Sequence, residues 1–135
     1  MISELEIVAR LSLSLTLGGL IGLEREVLRK PAGLRTHILV AIGSALFTIL
    51  SLYGFPGSDP ARVAAYVVAG IGFIGGGTII QSRDRVIGIT TAASLFVTAA
   101  IGMACGVGLY ISAIFVTGIA FIVLRFGKME RVRQT

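Results

Sequence analysis

The chain has 135 residues, of which 55% are hydrophobic and 14% charged, with mean hydropathy +0.93 and formal net charge +5. Soluble domains carry about 25% charged residues, so a water-soluble fold is excluded: a chain this short cannot bury so much apolar surface. The basic balance would point to nucleic acid in a soluble protein, but here it follows from the gathering of Lys and Arg on the cytoplasmic side of membrane proteins, and no nucleic-acid partner is expected.

The N-terminal residues carry Glu4 and Glu6 in place of a basic leader region, so the first apolar segment reads as a retained span and not a signal peptide. A hydrocarbon core takes about 20 helical residues, and that length divides the chain into about five transmembrane helices of one domain over 1–135. The first covers about 5–23, with Arg10 near the outer interface and able to pair with Glu6 one turn earlier. The second covers about 34–53 and stops at the turn cluster Gly54-Phe55-Pro56-Gly57-Ser58-Asp59-Pro60. The third, about 63–81, follows Arg62, which is placed at the outer interface, and ends at a polar loop, Gln81 to Arg85. Val86 to Leu124 is free of charge for about twice the length one span needs, so it reads as a hairpin of two spans, about 86–104 and 107–124, turning around Cys105 to Gly108.

An odd number of spans separates the termini, and the basic residues orient them. Arg25, Arg29, Lys30, Arg35, Arg83, Arg85, Arg125, Lys128, Arg131 and Arg133 fall on one side, leaving Arg10 and Arg62 on the other. The expected architecture is therefore an all-α integral membrane bundle with its N-terminus outside and its C-terminus cytoplasmic. With Trp absent, interfacial anchoring falls to Tyr53, Tyr66, Tyr110 and the phenylalanines.

Small residues recur at four-residue spacing: Gly18 and Gly22, Gly72 and Gly76, Gly102 and Gly106. Such pairs let helix backbones approach in lipid, where no hydrophobic drive assembles them. Gly70-Ile71-Gly72-Phe73-Ile74-Gly75 spells a dinucleotide-binding pattern but lacks the strand, soluble helix and later acidic residue that would make it one. Gly75-Gly76-Gly77 before Thr78 has two readings, close packing or a weak point where a transporter helix unwinds to expose carbonyls. Thr90 and Thr91 open the fourth span and are expected to bond carbonyls one turn back.

The densest polar constellation is Glu24-Arg25-Glu26 at the end of the first span with Arg35-Thr36-His37 at the start of the second. Glu24 and Arg35 are expected to meet across the short connection. Positive-inside topology accounts for Arg29 and Lys30 but requires no acids, so Glu24 and Glu26 belong either to a structural ion-pair network or to a working site. His37 has no ligand partners at metal spacing, so no metal or cofactor is expected and a capping or packing role is. All seven acidic residues lie near segment ends, which counts against a self-contained divalent-cation path. One His and the single Cys105, near opposite faces, assemble no nucleophile, base and orienting group, so no enzyme activity is expected.

Several of these segments together resemble the MgtC/SapB family of bacterial inner-membrane proteins. They are Gly22-Leu23-Glu24-Arg25-Glu26, Ala32-Gly33-Leu34-Arg35-Thr36-His37-Ile38-Leu39-Val40, Gly43-Ser44-Ala45-Leu46-Phe47, Gly70 to Gly77, Gly88-Ile89-Thr90-Thr91-Ala92-Ala93 and Ala99-Ala100-Ile101-Gly102, in the family's order, with Arg62 ahead of the third span. The resemblance implies a five-span, multi-pass inner-membrane domain and a link to growth at low magnesium and to virulence. It also implies action on other membrane machinery, notably the ATP synthase. Longer members continue into a cytoplasmic C-terminal domain that this chain, ending at Thr135, does not include. The family usually has Gly-Ala-Gly where this chain has Gly75-Gly76-Gly77. Two readings follow: a non-enzymatic regulator acting through helix contacts with itself, a dimer being favoured, or with a membrane partner; and a small oligomeric permease or channel for Mg²⁺ or another cation, with Gly75 to Thr78 lining a path beside Thr90 and Thr91.

Overall fold

The computed structural model describes residues 1–133, with side chains to Gly127. The side chains of Lys128, Arg131 and Arg133, counted above toward orientation, lie outside the described residues. Five helices follow one another: α1 (Glu4–Val27), α2 (Leu34–Tyr53), α3 (Pro60–Gly76), α4 (Ile89–Val107) and α5 (Tyr110–Arg133). Between α3 and α4 lies a short antiparallel hairpin, β1 (Ile80–Ser82) and β2 (Arg85–Ile87).

The helix ends follow local chemistry. The Ser3 hydroxyl accepts the Glu6 N–H at 3.2 Å, with Glu4 and Glu6 in the positively polarised first turn of α1. Asp59 accepts the Ala61 N–H at 2.9 Å ahead of Pro60, whose missing N–H costs nothing at the first helical position. The α4–α5 turn falls where expected: Gly108 has φ +89°, and the Gly108 and Leu109 N–H groups close the last turn of α4 on the carbonyls of Cys105 and Ala104.

The region after α3 departs from expectation. The helix stops at Gly76, short of 81, and Val86 and Ile87 belong to a strand and not to α4. Three glycines in succession weaken the helix at its end, while β-branched Ile80, Val86 and Ile87 flanking Arg83-Asp84 favour a hairpin over an open polar loop. Gly88, at φ +97°, brings this hairpin back against Thr78, whose carbonyl oxygen occupies the place a Cβ would take.

α1, α2, α4 and the 110–127 part of α5 are each long and apolar enough to cross a membrane. α3 has 17 residues, a length of about 25 Å at 1.5 Å per residue. α2 lies between α1 and α4; α3 packs on α2 and α4, and α5 on α4 and α1. Leu17 and Ile21 of α1, Ile101 and Cys105 of α4 and Ala113 of α5 form one buried apolar cluster. Ile71 of α3 joins Leu95 and Ala99 of α4 and Ala32 in a second.

Two of the three glycine pairs close the central seam. A Cβ on Gly18 would sit 2.5 Å from that of Ala41, and one on Gly22 would sit 2.8 Å from the Leu34 Cα. On α4, a Cβ on Gly102 would collide with the Ala41 carbonyl oxygen, and one on Gly106 would lie 2.7 Å from the Thr48 Cβ. The third pair does not pack: nothing lies within 4 Å of a Cβ on Gly72 or Gly76. α3 buries only Ile71 and Gly75, because its partners α2 and α4 already turn their small-residue faces to each other and to α1. Between α2 and α3 an apolar groove of about 450 Å³ remains open, lined by residues that include Leu39, Phe47, Tyr66 and Ile74.

Candidate functional site

α1 carries Glu24 and Arg25 in its last turn, α2 carries His37 in its first, and α4 carries Thr91 and Ser94 near its start. Since α1 ends where α2 and α4 begin, these side chains converge at one end of the glycine-closed seam. All five are buried, and the side chains of Glu24 and Arg25 are 1% and 3% exposed.

Arg25 Nη2 donates to the Thr91 hydroxyl at 3.3 Å, while Arg25 Nη1 stands 3.9 Å from Glu24 Oε2, an ion pair without a direct hydrogen bond. His37 Nδ1 lies 2.8 Å from the Gly33 carbonyl oxygen, which only accepts, so Nδ1 carries a proton. His37 Nε2 lies 3.0 Å from Ser94 Oγ, which in turn lies 2.7 Å from the Thr91 carbonyl oxygen. Ser94 has one hydroxyl proton. With a neutral imidazole it donates to Nε2; with an imidazolium it accepts from Nε2–H and donates to Thr91. A chain of contacts thus runs from Arg25 through Thr91 and Ser94 to His37.

Among the described residues, both carboxylate oxygens of Glu24 and the Nε–H of Arg25 have no hydrogen-bond partner, nor does the Ser14 hydroxyl higher in α1. A buried group left without any partner costs about 1–3 kcal/mol, so these atoms call for one.

The expected constellation is only half assembled. Glu24, Arg25 and His37 are together, but Arg35 is exposed and no contact joins it to Glu24 among the described residues. Arg35 falls two positions before His37 on α2, which turns it to the opposite side of the helix. Glu26 is also exposed; its Oε2 accepts the Leu34 N–H at 2.7 Å and caps α2, a role that accounts for an acid in a basic loop. Thr36 is half-buried outside the cluster and Thr90 is exposed. Thr91 is used as an acceptor for Arg25 and not for bonding a carbonyl one turn back. Gly72, Gly76 and Gly77 are exposed; Gly75 alone of this group is buried, against Ala92. No group of three metal-ligating side chains occurs among the described residues.

Ser94 escapes sequence reasoning, although its signal is present: Thr91, Ser94 and Thr98 stand at i, i+3 and i+7 and mark one polar stripe on an apolar helix. Arg10 is buried at the other end of the seam. It pairs with Glu6 as anticipated, donates from Nη1 to the Gly106 carbonyl oxygen at 2.6 Å and from Nε to the Tyr110 hydroxyl at 3.3 Å, and lies 5.9 Å from the Tyr53 ring centroid.

Residues 11–132 match the MgtC family. The chain belongs to the MgtC family. This membrane protein is 47% identical over 127 residues to the "Putative magnesium transporter YhiD" of Escherichia coli K12, covering 88% of this chain and 59% of that protein. It is 42% identical over 125 residues to Protein MgtC of Brucella abortus (strain 2308), covering 85% of this chain and 52% of the relative. This MgtC-family chain therefore spans little more than half the length of these curated relatives. No solved structure matches it.

Proposed function

We propose that this chain is a non-catalytic regulator of the bacterial inner membrane, serving adaptation to low magnesium and acting on neighbouring membrane machinery such as the ATP synthase. In this reading the N-terminus faces out, and the Glu24–Arg25–Thr91–Ser94–His37 cluster lies toward the cytoplasmic side. The observation that carries it is the burial of a charged pair at the end of a seam shut by glycine–backbone contact. Arg25 holds α1 against α4, with Glu24 beside it as its counter-charge, His37 and Ser94 hold α2 against α4, and the interior along the seam is filled by Ala41, Ala45 and Thr98, so the pair is suited to setting helix positions. The lipid-facing surfaces of α3 and α5 are free to meet a partner or a second copy.

The rival reading is a permease formed by an oligomer. It draws on the magnesium-transporter name of the Escherichia coli relative and on the short α3 ending at Gly75-Gly76-Gly77. The test is flux of Mg²⁺ and monovalent ions into liposomes holding the purified chain, beside a Glu24→Gln control. No flux above empty liposomes is expected from folded protein. Saturable Mg²⁺ flux lost in Glu24→Gln overturns the regulatory reading in favour of the permease.

A further inference from the structure

The buried side-chain atoms of α1 without a partner among the described residues are not alike. Ser14 Oγ is a single hydroxyl on a helix, and a rotation about its χ1 bond brings it to the carbonyl one turn back, so it calls for nothing external. Glu24 presents two acceptors and adjacent Arg25 one donor, all fixed by packing in side chains at most 3% exposed. At 3.9 Å the carboxylate and guanidinium are too far apart to bond and close enough to share one small bridging group.

The chemistry of that group is constrained by the atoms it must satisfy. A metal cation would meet the Glu24 oxygens but would offer no acceptor to Arg25 Nε–H and would lie against a guanidinium that is always charged. An anion would meet Arg25 and repel Glu24. A molecule that donates and accepts at once meets both, and the site supplies the two to four polar partners that a buried water takes: Glu24 Oε1 and Oε2, Arg25 Nε, and the Thr91 hydroxyl bonded to Arg25.

We infer that Glu24 and Arg25 of this chain bind an internal water that bridges carboxylate and guanidinium, making their contact a water-mediated ion pair. Both charges remain in place, and the carboxylate gains two donors without moving α1. Among the described residues, the buried titratable groups here are Glu24 and Arg25 of α1 and His37 of α2; α4 contributes the hydroxyls of Thr91 and Ser94. The inference rests on the geometry of the pair and not on the regulatory reading.

The test uses the wild-type protein in liposomes, labelled with ¹³C, and measures magnetisation transfer from water to individual carbons by solid-state NMR. Glu24 Cδ and Arg25 Cζ carry no hydrogen themselves and report water at contact distance. Their signals are expected to build up several-fold faster than those of Ile21 and Leu95, which are fully buried in apolar surroundings. Build-up at Glu24 Cδ as slow as at Ile21 overturns the inference, whatever the flux experiment returns. A Glu24→Leu/Arg25→Met variant should lose the fast component while Arg35 Cζ, which is exposed, keeps it. Persistence of fast build-up at the two substituted side chains would equally overturn it.

Discussion

Two arginines are buried at opposite ends of one three-helix seam, and their surroundings differ in kind. Arg10 is saturated: a carboxylate, a backbone carbonyl, a phenol and an aromatic face, drawn from α1, α4, α5 and α2, meet its guanidinium. Arg25 meets one hydroxyl at 3.3 Å and a carboxylate at 3.9 Å, and its Nε–H meets no partner among the described residues. Arg10 is a clasp: its contacts with Gly106, Tyr110 and Tyr53 tie α1 to α4, α5 and α2, and Glu6 balances its charge from within α1. Arg25 and Glu24 are buried with fewer protein partners among the described residues, the situation in which an apolar replacement of both charges is expected to be tolerated.

Removing one charge should expose that difference most strongly at the Glu24 end. Arg25→Met leaves an uncompensated buried carboxylate and should destabilise the folded chain by about 3–5 kcal/mol, whereas Glu24→Leu/Arg25→Met should recover most of the loss. Chemical unfolding in detergent checks both, and a double variant as unstable as the single one would make the pair a structural element like Arg10. At the clasp, Arg10→Met should cost about 2 kcal/mol in lost charge-assisted hydrogen bonds. Glu6→Gln should cost under about 1 kcal/mol, since that side chain is 44% exposed and reaches solvent.

The smallest effect is expected on α3. Gly76→Leu meets no neighbour within 4 Å and should leave monomer stability within about 0.5 kcal/mol. Association on a native gel, lost in Gly76→Leu with stability intact, would place α3 at a contact between copies. By contrast, Gly102→Leu drives a side chain into the Ala41 carbonyl and should reduce the yield of folded protein outright.

Much of the fold was legible because membrane insertion acts on quantities a linear sequence displays. Length between charges marked the long helices, the glycines at 102–108 marked the tight α4–α5 turn, and the Gly18/Gly22 and Gly102/Gly106 spacing marked close-packed faces. The i, i+4 relation of Glu6 and Arg10 is local, so that pair too was visible. The hairpin at 80–87 was less so, because its apolar strands read equally as the ends of two spans.

What only the tertiary structure decided is which polar groups share a space. Glu24 and Arg25 are adjacent in sequence, but their burial depends on α4 arriving beside α1, which no spacing within either helix specifies. Arg35, expected against Glu24 by proximity in the chain, is turned outward by the phase of α2, while Ser94, far away in the chain, joins the cluster against His37 at 3.0 Å. Equivalent Gly-x-x-x-Gly pairs in α1, α3 and α4 had different fates for the same reason. Spacing shows that a helix has a small face, but the neighbour that fills it is set by how the other helices satisfy theirs.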